Sequence, residues 1–391
     1  MFSVKLAPGK DVRLLAGHPW IYRSEIARVE DEGEPGAIAQ VLDSRGRSVG
    51  QAMVNLKSQI AGRLLTRTQE PIDAAFLERR LREAVSRHTR TVSGPDACRL
   101  VFGEGDRLPG LIVDRYGGLL VVQILTAGMD RLREPILSAL QNVVSPEAIF
   151  ERNDSPPRRL EGLALRKGFA WGQGETGVWI QEGGLTFFVE VAEGQKTGFF
   201  LDQRENRYVV KRLAKDRDVL DCFCYSGGFA LSAADGGAAS VTGIDLSADA
   251  LVWARRSAER NGLATPCTFT AANAFDQLRA LDRAGRHFGL LILDPPAFTK
   301  GKEALAGALR GYKEINLRAM KLLGPGGILV TCSCSYHVDA PAFLEILRSA
   351  AADARREFRL LEFRTQASDH PILLAAKETQ YLKCAVLEAL N

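Results

Sequence analysis

From about Thr197 to the end of the chain, short apolar runs alternate with turns and stretches of helical periodicity. Runs at 218–222, 240–245, 267–271, 287–293 and 327–331 read as strands, and two late ones lie near 358–363 and 380–387. Strand–helix alternation with nearly continuous apolar strands predicts an α/β domain, its parallel sheet covered on both faces and joined by right-handed crossovers. In such sheets ligands gather outside the carboxyl ends of the strands. Asp294-Pro295-Pro296-Ala297-Phe298 leaves one run and Ser333-Cys334-Ser335 leaves another, so an acid and a thiol arrive at one rim. That pairing suggests chemistry on a flat nitrogenous ring.

Upstream the rhythm differs. Residues 1–72 carry short alternating runs such as AIAQVLD and SVGQAMV, punctuated by Gly and Pro, and read as a small β-rich domain. Residues 73–190 read as a central α+β domain, with helices at 71–91 and 129–144 around a strand meander, and 191–391 as the α/β domain. Arg79, Arg80, Arg82, Arg87 and Arg90 punctuate the first of those helices and read as its solvated face, with an RNA contact as the alternative. Trp20 in GHPWIY reads as a core residue.

A chain of 391 residues, 46% hydrophobic and 25% charged, has material for two or three cored domains. Its net charge of +4 permits a polyanionic partner without demanding one. Seven cysteines, without the spaced pairs of a zinc site, favour reduced thiols, a cytoplasmic location and no metal. There is no apolar leader and no membrane-length apolar run.

The first strand of the α/β domain leads into Asp221-Cys222-Phe223-Cys224-Tyr225-Ser226-Gly227-Gly228, where glycines let backbone approach a ligand at a helix amino terminus. G-x-G-x-x-G is absent, which argues against a dinucleotide-dependent oxidoreductase. Asp245 ends the second strand, where an acid accepts both hydroxyls of a ribose, and Asn273 ends the third, where an amide can read an adenine edge. Singly, Asp245 would cap a helix and Asn273 would make a turn. Polar groups at three strand ends favour a nucleoside, and a nucleoside without a phosphate loop suits S-adenosylmethionine.

The order DCFCYSGG, GIDLS, AANAF, DPPAF, TCSCS resembles a class I methyltransferase domain. TGFFLDQRENR at 197–207, DPPAFTK at 294–300, RGYKEIN at 310–316 and SDHP at 368–371 narrow the resemblance. They are similar to the RlmI-type ribosomal RNA large-subunit (23S) cytosine-C5 methyltransferase family, over essentially the whole chain. That resemblance implies a PUA-like domain, a central domain and a Rossmann-like catalytic domain whose mostly parallel sheet has a late antiparallel strand. It places S-adenosylmethionine on Asp221, Tyr225, Ser226, Gly227, Asp245, Asn273 and Asp294, with Gln203 and Arg204 as further contacts. Asn273 stands where the family more often has an acid.

Cytosine C5 is a poor nucleophile, and the usual remedy is a thiolate that adds to C6. Cys332 and Cys334 compete for that role. Cys334 lies farther beyond the apolar run and occupies the family's S-C-S position, whereas Cys332 reads as a small buried hydrophobe. Asp294 would bind the exocyclic amine or N3, and Phe298 would face the base. Lys300, Lys302, Arg310 and Lys313 are candidate phosphate contacts along a single-stranded or flipped-base route. Related enzymes often carry a second cysteine beside the motif proline; Ala297 stands there instead, and no base for the C5 proton is named. Large-subunit ribosomal RNA is the expected partner, and a homodimer is left open. An RNA N-methyltransferase and a noncatalytic RNA-binding assembly factor are the competing readings.

Overall fold

The computed structural model describes residues 2–31, 33–92, 96–298 and 305–390. It resolves into two compact units, one of Met1–Val178, Glu190–Gly198 and Ser368–Thr379, the other of Trp179–Val189, Phe199–Ala367 and Gln380–Asn391.

The first unit contains two sheets. A six-stranded sheet runs in the order Trp20–Tyr22, Ile60–Thr66, Ser48–Val54, Ala37–Leu42, Ser3–Leu6, Ile26–Glu30. All neighbours are antiparallel except Ser3–Leu6 with Ala37–Leu42. Alternate residues Val4, Leu6, Val41, Ala52 and Val54 bury one face. Trp20 is half-buried and its indole N–H donates to Glu104. A five-stranded sheet of Arg166–Trp171, Ala148–Asn153, Leu119–Ile124, Leu111–Tyr116 and Ala97–Phe102 packs with the helices Ala74–Thr91 and Arg133–Val144.

Three details depart from expectation. The helix expected at 129–144 is two, Ala127–Arg131 and Arg133–Val144, because Leu132 leaves helical geometry at φ −95°, ψ 13°. Arg80 is not on a solvated face: it is buried, with its guanidinium over the Phe76 ring. The strand Gly177–Glu182 has no clear signal, yet it pairs with Leu185–Glu190 through Gly183 and Gly184, both at positive φ. Trp179–Val189 of that hairpin belongs to the second unit.

The second unit is built on a seven-stranded sheet. Its order is Cys267–Ala271, Ser240–Asp245, Asp218–Cys222, Phe288–Leu293, Leu323–Ser333, Lys383–Ala389, Phe358–Arg364. The first five strands are mutually parallel; Lys383–Ala389 is antiparallel to both its neighbours. Phe288–Leu293 lies in the middle of the sheet, which explains why FGLLIL is apolar without alternation. The helix Leu305–Lys321 buries Ala308, Tyr312, Ile315 and Ala319, the 4-3-4 spacing of one helical face. Helix Ala340–Ala354 adds Phe343, Ile346, Leu347 and Ala350 to the same core, against Leu220, Leu291 and Leu329.

Strand order reverses between Asp218–Cys222 and Phe288–Leu293, so their carboxyl ends open a crevice. The parallel register levels those ends: Cys222 pairs with Ile244 on one side and Leu293 on the other, and Leu293 pairs with Thr331. The residues that follow are therefore delivered to one rim.

Candidate active site

The turn after Asp218–Cys222 is held in an uncommon conformation. Phe223, Tyr225 and Gly227 all have positive φ, at 66°, 49° and 81°. Two non-glycine residues in the left-handed region cost free energy and persist where surrounding bonds enforce them. Those bonds are visible: the Phe223 and Cys224 amides donate to the Ile244 carbonyl, and the Tyr225 amide donates to Asp245 at 2.9 Å. The Tyr225 ring is wedged edge-on between Phe200 and Trp253. Gly227 begins the next helix, and a β-carbon there would meet that of Ala254 at 3.0 Å.

Asp221 and Ser226 are the informative residues of this turn. Both are buried, yet among the described residues neither the Asp221 carboxyl nor the Ser226 hydroxyl has a hydrogen-bond partner of good geometry, the Ala230 amide being the backbone group nearest to bonding Asp221. Buried polar groups are normally bonded, so these point at a missing donor. Burial, then the nearby Asp294 carboxylate, push the Asp221 carboxyl well above its ordinary range; Asp245 adds to the effect. Three carboxylates round one crevice suit a cationic ligand. S-adenosylmethionine fits: its sulfonium and ammonium groups are positive, and its ribose offers hydroxyl donors.

The remaining cofactor candidates are more occupied. Asp245 accepts the Tyr225 and Ser247 amides, one on each oxygen. Asn273 caps the helix Ala274–Arg283 by accepting from the Phe275 and Asp276 amides, which leaves its side-chain N–H groups to meet a ligand. Gln203 is buried, accepts from Asn206 and hydrogen-bonds Cys332. Arg204 is buried against Glu182 at 3.3 Å.

The acid and the thiol do meet at the rim. Asp294 follows its strand directly, its amide 3.4 Å from the Cys222 carbonyl. Cys334 lies just past the end of Leu323–Ser333, half-buried, with Sγ 4.0 Å from the Pro295 carbonyl oxygen. Cys332 lies inside the sheet opposite Cys384. Hydrogen bonding with Cys384, then burial, push its thiol well up, so it is poorly suited to be a nucleophile.

The RNA candidates divide. Phe298 does not stand free to stack on a base: its ring lies 4.5 Å from that of Tyr312 and 5.8 Å from that of Phe275, bracing the loop against the helix Leu305–Lys321. Arg310 is exposed on that helix, whereas Lys313 is paired with Asp353 at 2.7 Å. Lys300 and Lys302 lie outside the described residues.

Two groups beside Cys334 escaped the sequence reading. The Tyr312 hydroxyl shares a hydrogen bond with Ser335 Oγ at 2.9 Å. Lys383, in the register position opposite Ser333, is buried and donates to the carbonyls of Ser335 and Tyr381, each at 2.8 Å. A lysine inside the apolar run YLKCAVLEAL was the available signal.

Comparison with known proteins agrees with this geometry. Residues 167–373 match a family model for S-adenosylmethionine-dependent methyltransferases, and residues 4–67 match one for PUA-like domains. Ribosomal RNA large subunit methyltransferase I of Klebsiella pneumoniae (strain 342) is 40% identical over 97% of this chain and 96% of its own length. The protein of that name from Tolumonas auensis is 42% identical over 99% of both chains. A protein from Streptococcus mutans described as a SAM-dependent methyltransferase shares the fold, with a TM-score of 0.86 at 18% identity over 99% of this chain and 100% of its own. A methyltransferase crystallised with SAH does so at 0.87 and 19%, with the same coverage. With the Asp221–Ser226 turn, the strand order and these relatives in agreement, the chain belongs to the ribosomal RNA large subunit methyltransferase I family and uses S-adenosylmethionine.

Proposed function

We propose that this chain methylates C5 of a cytosine in large-subunit (23S) ribosomal RNA through a covalent adduct with Cys334. The nature of its relatives supports ribosomal RNA as substrate. The observation that carries the chemistry is the juxtaposition of Cys334 with the Asp294-Pro295 loop, 4.0 Å from sulfur to carbonyl oxygen.

S-adenosylmethionine would supply an electrophilic methyl group, the broken S–CH3 bond leaving its electron pair on sulfur as neutral S-adenosylhomocysteine. Cys334 supplies the nucleophile: its thiolate forms a bond to C6, and the C5–C6 π electrons move to C5, which becomes able to take the methyl. Asp294 holds the exocyclic amine or N3 and stabilises charge that develops on the ring as the thiolate adds. A base then takes the C5 proton, the C5–H electrons re-form the C5–C6 double bond, and the C6–S bond breaks with its electron pair leaving on Cys334 as thiolate. Ala297 stands where related enzymes often carry a second thiol, so one cysteine serves throughout.

Mapping of modified nucleotides in ribosomal RNA from cells lacking this chain tests the proposal. Loss of one 5-methylcytosine, restored by the parent gene and not by a Cys334→Ala gene, is the expected result. Loss of a methylated guanine instead would move the activity to a ring nitrogen.

A further inference from the structure

We propose that Lys383 is the positioning residue for the Cys334 turn and that its buried positive charge favours the thiolate there. The inference rests on the reading of Cys334 as the nucleophile, and it begins from an oddity of the sheet. Lys383 is the only lysine among the described residues that the fold buries outright. It opens the strand next to the sheet's edge, opposite Ser333, between Leu382 and Cys384, which are also buried. Lysine in that position loses hydration, and a hydrophobe of similar length would cost less.

Its contacts explain why a lysine stands there. The ammonium donates to the carbonyl of Ser335, the residue after Cys334, and to that of Tyr381 on its own segment. It therefore ties the S-C-S turn to the neighbouring strand. Tyr312 grips the same turn from the helix side through Ser335 Oγ, and the Ser335 amide bonds back to Ser333 Oγ at 3.4 Å. These bonds engage two of the three lysine donors.

The charged and titratable groups around the ammonium come from every element packed on it. Cys334 in the turn and Asp339 at the next helix cap both favour its charged form. Tyr312 faces the turn from its helix, and Tyr381 is bonded to Asp202 at 2.6 Å. Arg364, on the outer strand opposite Cys384, is engaged by Glu362 and Asn206. Burial outweighs the favourable neighbours and brings Lys383 down to about 8. The attraction is mutual, so a protonated Lys383 lowers the cost of ionising Cys334, with no contact to the substrate required.

Peptide-resolved alkylation of Cys334 as a function of pH tests this without reference to methyl transfer. At pH 7 the Cys334 alkylation rate falls about tenfold in Lys383→Met, which removes the ammonium and its hold on the turn. In Lys383→Arg, which keeps the charge, most of the rate returns. An unchanged rate in Lys383→Met, or equal losses in both variants, overturns the proposal. If Lys383→Met does not fold, the parent protein decides: the Lys383 Cε resonance must titrate near pH 8 and move when Cys334 is replaced by Ser. Titration above pH 10, or indifference to Cys334, overturns it equally. Methyl transfer by Cys334→Ala is scored separately, so survival of that activity would remove the C5 chemistry and leave the alkylation result to stand alone.

Discussion

The Cys334 sulfur lies 4.0 Å from the carbonyl oxygen of Pro295, so the thiol-bearing turn of one strand rests on the acid-bearing loop of its parallel neighbour. Cys332, two residues earlier, points its thiol into the sheet opposite Cys384. Cys334→Ala is expected to lower methyl transfer by at least about a thousandfold, the scale of removing a covalent nucleophile, with cofactor affinity unchanged. Cys332→Ala should cost about 1–2 kcal/mol of stability and keep most of the activity. Single-turnover assays with a melting curve for each variant separate the two.

Asp221 gives the fold a pH-dependent cost that its ligand relieves. Its carboxyl is raised by burial and by Asp294, so its favourable contribution is whole at acid pH, below the ordinary carboxylate range. That contribution is lost as pH rises through the raised value. Asp221→Asn should therefore raise the melting temperature of the cofactor-free protein by a few degrees at neutral pH and hardly at all near pH 4. The same change should weaken S-adenosylmethionine binding by about tenfold or more.

Cofactor binding to the parent protein should also release a proton, because a cationic ligand favours the Asp221 carboxylate. Calorimetry in buffers of different ionisation enthalpy reads this directly. A binding enthalpy independent of buffer would contradict it.

Gly227 combines a positive φ of 81° with a tight approach to Ala254. Gly227→Ala should destabilise the protein by about 1–2 kcal/mol from the backbone alone and disturb the turn that carries Ser226. Denaturant melts together with cofactor titration check both effects.

Phe298 separates bracing from base stacking. Its ring is engaged by Tyr312 and Phe275, so Phe298→Leu, which fills the same space without an aromatic face, should keep activity within about threefold. Phe298→Ala should lower kcat by loosening the loop, with little change in KM for RNA. A loss confined to KM in both variants would identify the ring as a stacking surface.

The catalytic sheet was legible because its strands obey simple physics. Phe288–Leu293 is uniformly apolar since it is covered on both faces, and the helix Leu305–Lys321 repeats apolar residues at helical spacing. The residues after those strands follow from the same rule, so strand order alone brings Asp294 and Cys334 to one rim. What resisted reading depended on tertiary contacts. Phe298 looks like an exposed aromatic in a proline loop, and only the position of Tyr312 turns it inward. Arg80 sits in a charged helix yet lies buried over Phe76, and Lys383 opens an apolar strand, where it binds two carbonyls. The local alternatives came out differently: Ser247, not Asp245, caps the following helix, Asp245 instead accepts the Tyr225 and Ser247 amides, and Asn273 caps a helix where a turn was the alternative.

The covalent step is tested most directly with RNA carrying 5-fluorocytosine at the modified position, since fluorine cannot leave as a proton does. In the presence of S-adenosylmethionine, the account predicts a denaturation-resistant protein–RNA adduct whose crosslinked peptide contains Cys334. The Cys334→Ala protein should give none. Full methyl transfer to unmodified RNA by Cys334→Ala, or an adduct mapped to a different cysteine, would contradict the central claim.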